Sequence, residues 1–475
     1  MRLSVLSDAM FAIGRRWPAF PMAMLRALPL PVLHALRQPG LAATLRQARR
    51  SPFYREAFAR AGVDPARARR LEDLGGFFLT PDVLKAGPER LLCGPADLAI
   101  ESSGTSGHVT RIYLSRHELE YAARQGNLLL AANGVGAGDR LLCTLDLAWG
   151  LGSLLVERGI RYTPIFGMVV GRVDALESYH RLAQYRFNVL VSDPFWLGRI
   201  TAIAKERGRP VPMKLLVGGG EGITPALRDE LERFWGARVC MTYASTEAAT
   251  VLGFECAARE GYHVNEFDFA VEIVDADADG YGEVVFTTVN RAVMPLVRYR
   301  TGDIARWLPG GCACGLPFRR LSAIRGRTDE QVSCAWGNVH PEFFAPLLAE
   351  VEGLGQDWQV AVYERELRAT VQFRLEIDDD GARRQEAVQA VLSRLQRLYP
   401  DAWATYRQQL IDIEFCFVGR ATLRRTRKLL RLVDERALPE PSRFPGVIVT
   451  RPAAPPRILL PHMGLSRHPD HEVLS

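Results

Sequence analysis

An alternation of short apolar runs with helix-like stretches narrows the folds open to this chain more than any other feature. The runs Arg140 to Leu145, Val189 to Val191 and Leu215 to Val217 have strand length, and they alternate with stretches such as Glu118 to Ala132 and Pro225 to Trp235. That order implies an α/β architecture with parallel strands. Gly218-Gly219-Gly220-Glu221-Gly222 would end one strand and feed a helix opening at Thr224-Pro225, where threonine caps and proline suits the first turn. Loops at strand carboxyl ends are where such sheets bind ligands.

Further along, the pattern changes. Phe269 to Thr288 reads as an antiparallel hairpin around an acidic, glycine-containing turn. After Asp329 a smaller α+β unit of roughly 110 residues follows. It has strand-like Trp358 to Val362 and Ala369 to Leu375, a helix from Arg383 to Tyr399 and a strand from Ile411 to Val418. A chain of 475 residues exceeds one ordinary core. The expected division is an N-terminal helical extension over 1–49, a large domain over 50–326, a small domain over 327–436 and a Pro-rich tail over 437–475. Met1 to Leu36 is apolar but broken by Arg15, Arg16, Pro18, Pro21 and Pro29 and lacks a clean signal-peptide core, so it reads as a helical extension, with membrane-surface contact its minor alternative. The tail reads as a surface strap or a partly disordered segment.

Charge excludes some functions. Sixty basic residues against 54 acidic ones, spread along the length, imply no nucleic-acid partner. The densest basic run, Arg424 to Arg431, is either a phosphate-binding patch or a solvated face. No run of about 18 apolar residues predicts a transmembrane segment. Eight cysteines without dense, even spacing point to a reducing cytoplasm rather than a disulfide framework.

The run Glu101-Ser102-Ser103-Gly104-Thr105-Ser106-Gly107 could wrap nucleotide phosphates, because small residues let backbone N–H groups approach and the hydroxyls add donors. The same composition also makes an ordinary loop. His108 stands where a Walker-type loop needs lysine, which disfavours a P-loop nucleotidase.

Four more motifs follow in order: Tyr243-Ala244-Ser245-Thr246-Glu247, Tyr299-Arg300-Thr301-Gly302-Asp303, Gly326-Arg327-Thr328-Asp329 and the basic segment containing Lys428. The series resembles the core motifs of the adenylate-forming (acyl-CoA synthetase) superfamily. Phe53-Tyr54-Arg55, Leu71-Glu72-Asp73-Leu74 and Gly337-Asn338-Val339-His340-Pro341 make it most similar to the phenylacetate-CoA ligase family, over roughly residues 50 to 436. The resemblance implies a large multi-subdomain N-terminal adenylate-forming domain with a small mobile C-terminal domain. It implies an ATP-dependent, AMP-forming ligase that activates an aryl or medium-length acid and passes it to a thiol, most simply coenzyme A.

By the same resemblance, Ser102, Ser103, Gly104, Thr105, Ser106 and Gly107 hold the β- and γ-phosphates. Tyr243 packs on adenine, Glu221 lines that site, and Thr246 contacts the α-phosphate. Glu247 coordinates magnesium, Asp303 accepts from the ribose hydroxyls, and Arg327 sits beside ribose and phosphate. Lys428 bridges the attacking carboxylate and the α-phosphate, Asp329 is the hinge, and the loop Trp336-Gly337-Asn338 faces the thiol acceptor after rotation. Trp149, Gly150 and Leu151 match the segment lining the acyl site, although Trp149 equally suits a core. The chain departs from the family at His108 and Val109, at Ala244 and at Arg427, where lysine and proline, glycine, and glycine are usual.

A separate set, Cys256, His263, Cys312 and Cys314, offers three thiols and one imidazole, a complete tetrahedral complement for a structural zinc ion. Buried or idle cysteines are its alternative. Two other functions stay open. One is loading of a separate acyl carrier protein through its phosphopantetheine. The other is a non-catalytic scaffold of the same fold. A homodimer is among the assemblies this reading admits.

Overall fold

The computed structural model describes residues 20–64, 67–102, 110–147, 151–208, 211–328, 331–349, 351–377, 381–419, 422–423, 429–436, 438 and 448–450. Its centre is a nine-stranded sheet. Five strands run parallel, in the order Phe166–Val169, Arg140–Cys143, Val189–Ser192, Leu215–Gly218, Arg238–Ser245. Thr250–Phe254, Tyr262–Val264, Arg320–Leu321 and Trp307–Leu308 extend it antiparallel.

The central parallel strands Arg140–Cys143, Val189–Ser192 and Leu215–Gly218 are mostly apolar because both faces are covered. Leu141, Cys143, Val189, Val191, Leu215 and Val217 point into one core with Met22, Leu25 and Leu33 of the N-terminal helices. The residues between them, Leu142, Leu190 and Leu216, point into another with Leu182, Ile200 and Leu231. Local signals set the covering helices. Ser115 and Glu118 form a capping box on Arg116–Ala132, while Asp174, Asp193 and Thr224 cap Ala175–Gln184, Pro194–Arg207 and Pro225–Trp235. The last two helices end at Gly208 and Gly236, both left-handed.

A four-stranded antiparallel sheet, Phe269–Val274, Gly282–Thr288, Tyr299–Ala305 and Gly326–Arg327, packs a third core. The expected hairpin is its first pair. The N-terminal helix Leu30–Ala48 is integral to the large domain, since Leu41, Leu45 and Ala48 lie in that same core. Tyr54 does too; its hydroxyl donates to the Pro295 carbonyl at 2.9 Å and accepts from the Val297 N–H at 3.0 Å.

The C-terminal part is a five-stranded sheet in the order Leu432–Asp434, Leu354–Arg365, Arg368–Ile377, Ile411–Val418, Ile448–Thr450, with helices Gly381–Leu398 and Pro400–Arg407. The last strand lies in the stretch read as a surface strap or partly disordered tail: Ile448, Val449 and Thr450 pair antiparallel with Phe417, Cys416 and Phe415. Trp336 departs from expectation. It is 2% exposed and lies 5.7 Å from the Phe343 ring, so it is a core residue of the small domain rather than a face toward an acceptor. All eight cysteines are free thiols. No helix among the described residues is long and apolar enough to cross a membrane.

Candidate active site

Three distant segments converge at the end of the central sheet. Tyr243 lies on Arg238–Ser245, and its half-buried phenol donates to Asp303 Oδ2 at 2.6 Å. Arg327 Nη1 donates to Asp303 Oδ1 at 2.5 Å, and its Nη2 donates to the Thr301 carbonyl at 2.7 Å. Asp303 and Arg327 are direct cross-strand partners, which is why two motifs 24 residues apart meet. Burial, reinforced by the adjacent Asp303 carboxylate, holds the Tyr243 phenol protonated well above its usual range, so it stays a donor. Gly302 makes the approach of Arg327 feasible: its φ is +81°, and a Cβ there would stand 2.9 Å from Arg327 Nη2.

Thr246 and Glu247 occupy the tight turn between Arg238–Ser245 and Thr250–Phe254. This is a hairpin turn, not a helix cap. Tyr299 reaches the turn from the strand that carries Asp303, and its hydroxyl donates to Glu247 Oε1 at 3.4 Å. A half-buried carboxylate in contact with one hydroxyl can serve a hard cation that keeps most of its waters, such as magnesium.

Ser102 sits at the neck of its loop. Its N–H donates to the Thr110 carbonyl and its Oγ accepts from the Thr110 N–H, both at 2.9 Å, closing the mouth between Leu98–Glu101 and Arg111–Leu114. Ser103, Gly104, Thr105, Ser106 and Gly107 lie outside the described residues, as do Trp149, Gly150, Asp329 and Lys428. Leu151 starts the helix Leu151–Ile160 and is buried in the core that contains Leu155.

Glu221 follows the strand Leu215–Gly218, with its side chain 8% exposed and 3.5 Å from the Arg436 guanidinium. Arg436, which the sequence did not single out, chelates Asp434 at 2.9 and 2.6 Å. Thr224, the N-cap of the next helix, donates to Glu364 at 2.5 Å. Arg436 and Glu364 both belong to the C-terminal part, so the Gly-rich loop is where that part docks. Phe195 packs against the cores of both parts.

Burial pushes Glu221 up to about 7, with Arg436 only partly opposing it. The folded pKa is raised, so protonation stabilises the docked fold fully below the ordinary carboxylate range, and this contribution is lost as pH rises through about 7. Glu221→Gln does not titrate. Its stability relative to the parent is therefore expected to improve by on the order of 3 kcal/mol between pH 5 and pH 8. Denaturant titrations of both proteins across that range check this; a difference that does not vary with pH rules it out.

The four metal-ligand candidates also come together. The ligating atoms of Cys256, His263, Cys312 and Cys314 lie within 4.8 Å of one another. Cys256 Sγ is 3.5 Å from Cys312 Sγ, and Cys314 Sγ is 3.3 Å from His263 Nε2. A disulfide would need about 2.05 Å, whereas arms of about 2.3 Å to a tetrahedral centre give edges near these values. His263 Nδ1 faces the Phe318 carbonyl at 3.2 Å, which turns Nε2 toward the thiols. Hydrogen bonding from Cys314 holds Cys256 far below the usual thiol range, and Cys314 is raised correspondingly, as expected of thiols sharing one proton. The donor set fits zinc.

No protein-family model matches the chain. Curated relatives do match. Phenylacetate-coenzyme A ligase of Thermus thermophilus is 29% identical over 390 residues, 78% of this chain and 86% of the relative. The enzyme of the same name from Escherichia coli is 27% identical over 372 residues, 74% and 83% of the two chains. Among solved structures, 2-hydroxyisobutyryl-CoA ligase in complex with 2-HIB-AMP and CoA matches with a TM-score of 0.71 at 19% identity, over 85% of this chain and 90% of the other. Fold and relatives together define the class, an AMP-forming acid–thiol ligase of the adenylate-forming superfamily. Within it, the chain is similar to the phenylacetate-coenzyme A ligases over about three quarters of its length.

Proposed function

We propose that this ligase activates an aryl or medium-length carboxylic acid as its acyl-adenylate and transfers the acyl group to coenzyme A. The observation that carries the reading is the contact of Tyr243, Asp303 and Arg327, with Glu247 and Tyr299 beside them, drawn from three separate segments. Such a group can hold a nucleoside by its ribose and leave the α-phosphate at the Thr246 turn.

The chemistry asks little of acids and bases. A carboxylate, ionised at neutral pH, attacks the α-phosphorus; an O–P bond forms, the bond to the β-phosphate oxygen breaks, and pyrophosphate leaves. A thiol then attacks the acyl carbon and AMP departs. The protein's task is positioning and charge stabilisation. In this reading Asp303 accepts from the ribose hydroxyls, Arg327 sits beside ribose and phosphate, and Tyr243 and Glu221 border the adenine. Thr246 donates to the α-phosphate, Lys428 bridges it to the acid, and Ser102 to Gly107 embrace the leaving phosphates. Magnesium, held by Glu247, supplies neutralisation of phosphate charge when bound. The Cys256, His263, Cys312 and Cys314 set has no ligand position to spare, so zinc there is structural.

Acid-dependent ATP–pyrophosphate exchange across aryl, hydroxyaryl and fatty acids, without and then with coenzyme A, tests the proposal. Exchange with one acid class, followed by a coenzyme A thioester, is the expected result. Exchange without a coenzyme A product would assign the acyl group to a carrier protein, and no exchange with any acid would point to a scaffold.

A further inference from the structure

We propose that Arg291 is a positioning residue that sets the Thr246–Glu247 turn for its cation and phosphate contacts; this rests on the reading of Glu247 as the magnesium ligand. Arg291 lies in the connection between Gly282–Thr288 and Tyr299–Ala305 and is 8% exposed. Its Nη1 donates to the Glu247 carbonyl at 2.6 Å and its Nη2 donates to the Ala248 carbonyl. One planar fork thus holds two successive carbonyls of a four-residue turn, a geometry that lysine cannot reproduce. The turn needs holding, because Ala249 adopts φ of +54°, a region costly for a residue with a Cβ.

The guanidinium is itself fixed. Glu118 and Asp268, both buried, face it with negative charge. Glu118 Oε1 accepts from the N–H groups of Ala292 at 2.6 Å and Val293 at 3.0 Å, and its Oε2 accepts from the Ser115 N–H at 2.7 Å. Asp268 accepts from Asn290 at 2.9 Å and Asn265 at 2.8 Å. A cavity of about 30 Å³ between Tyr121, Asp268 and Arg291 has room for a water molecule. Burial brings Arg291 down to about 10, so it remains charged at neutral pH. Arg291 is therefore a buried support behind the backbone of the turn, while the Glu247 carboxylate meets Tyr299 on the other side.

Arg291→Lys keeps the charge and loses the fork. It is expected to weaken magnesium binding to the nucleotide-loaded protein, read by calorimetry, about tenfold and to raise the magnesium needed for half-maximal pyrophosphate exchange in step, the size usual for groups that orient a metal ligand. Acid KM and thiolysis of a supplied acyl-adenylate should not change. Glu118→Gln, which removes a charge facing the guanidinium, is the second variant and should shift magnesium dependence in the same direction. Glu247→Gln is the control. If it leaves magnesium dependence unchanged, the reading of Glu247 fails. If it shifts that dependence while neither Arg291→Lys nor Glu118→Gln does, or if those two lower both half-reactions equally, the positioning role is overturned.

Discussion

Lys428→Ala is expected to lower acid-dependent pyrophosphate exchange by roughly 10²–10³-fold, the usual cost of removing one preorganised charge aimed at a transition state. Charge is redistributed between the incoming carboxylate and the α-phosphate only in the first half-reaction. A cation bridging them has no counterpart when a thiol attacks an acyl-adenylate already made. Thiolysis of a supplied acyl-adenylate should therefore stay within a factor of a few of the parent. Assaying the two half-reactions separately checks this, and equal loss in both would remove Lys428 from the role.

The second large effect concerns metal. Elemental analysis is expected to find about one zinc per chain, and Cys312→Ser to lower both zinc content and stability. Unmetallated, three thiols and an imidazole crowd within 4.8 Å of one another, held only by weak sulfur hydrogen bonds. Zinc removes that conflict by binding all four in deprotonated form, and its binding energy adds to folding. Loss of one ligand should cost several kcal/mol and lower the melting temperature by roughly 5 °C or more. A chelator should do the same to the parent. Zinc-free protein with unaltered melting would overturn the assignment.

Three of the five parallel strands were legible because burial on both faces leaves apolar runs at strand positions, as at Leu141, Leu142 and Cys143; the outer strands Phe166–Val169 and Arg238–Ser245 are less buried and carry no such run. The pairing of Asp303 with Arg327 follows from motifs that sit on neighbouring strands. Arg291 was not legible, for its partners are backbone carbonyls 43 and 44 residues away, and nothing local marks an arginine for that use. Arg436 is similar: its partner Glu221 lies in the other part of the molecule. Trp336 was misread because a tryptophan in a short hairpin has the same local pattern whether it faces a ligand or a core. Three residues at 448–450 are too few to show a strand period, so only the pairing with Phe415, Cys416 and Phe417 reveals them.

That last strand has a consequence for how the molecule avoids its own copies. Ile411–Val418 is nearly all buried and apolar, and without a neighbour it would present a row of unpaired backbone groups beside phenylalanines. An uncovered edge of that kind templates strand addition from other chains. The tail takes the place a stranger would occupy. It ties residues 448–450 to the small sheet itself, so the cover and the edge that it guards are one piece of structure at Phe415, Cys416 and Phe417.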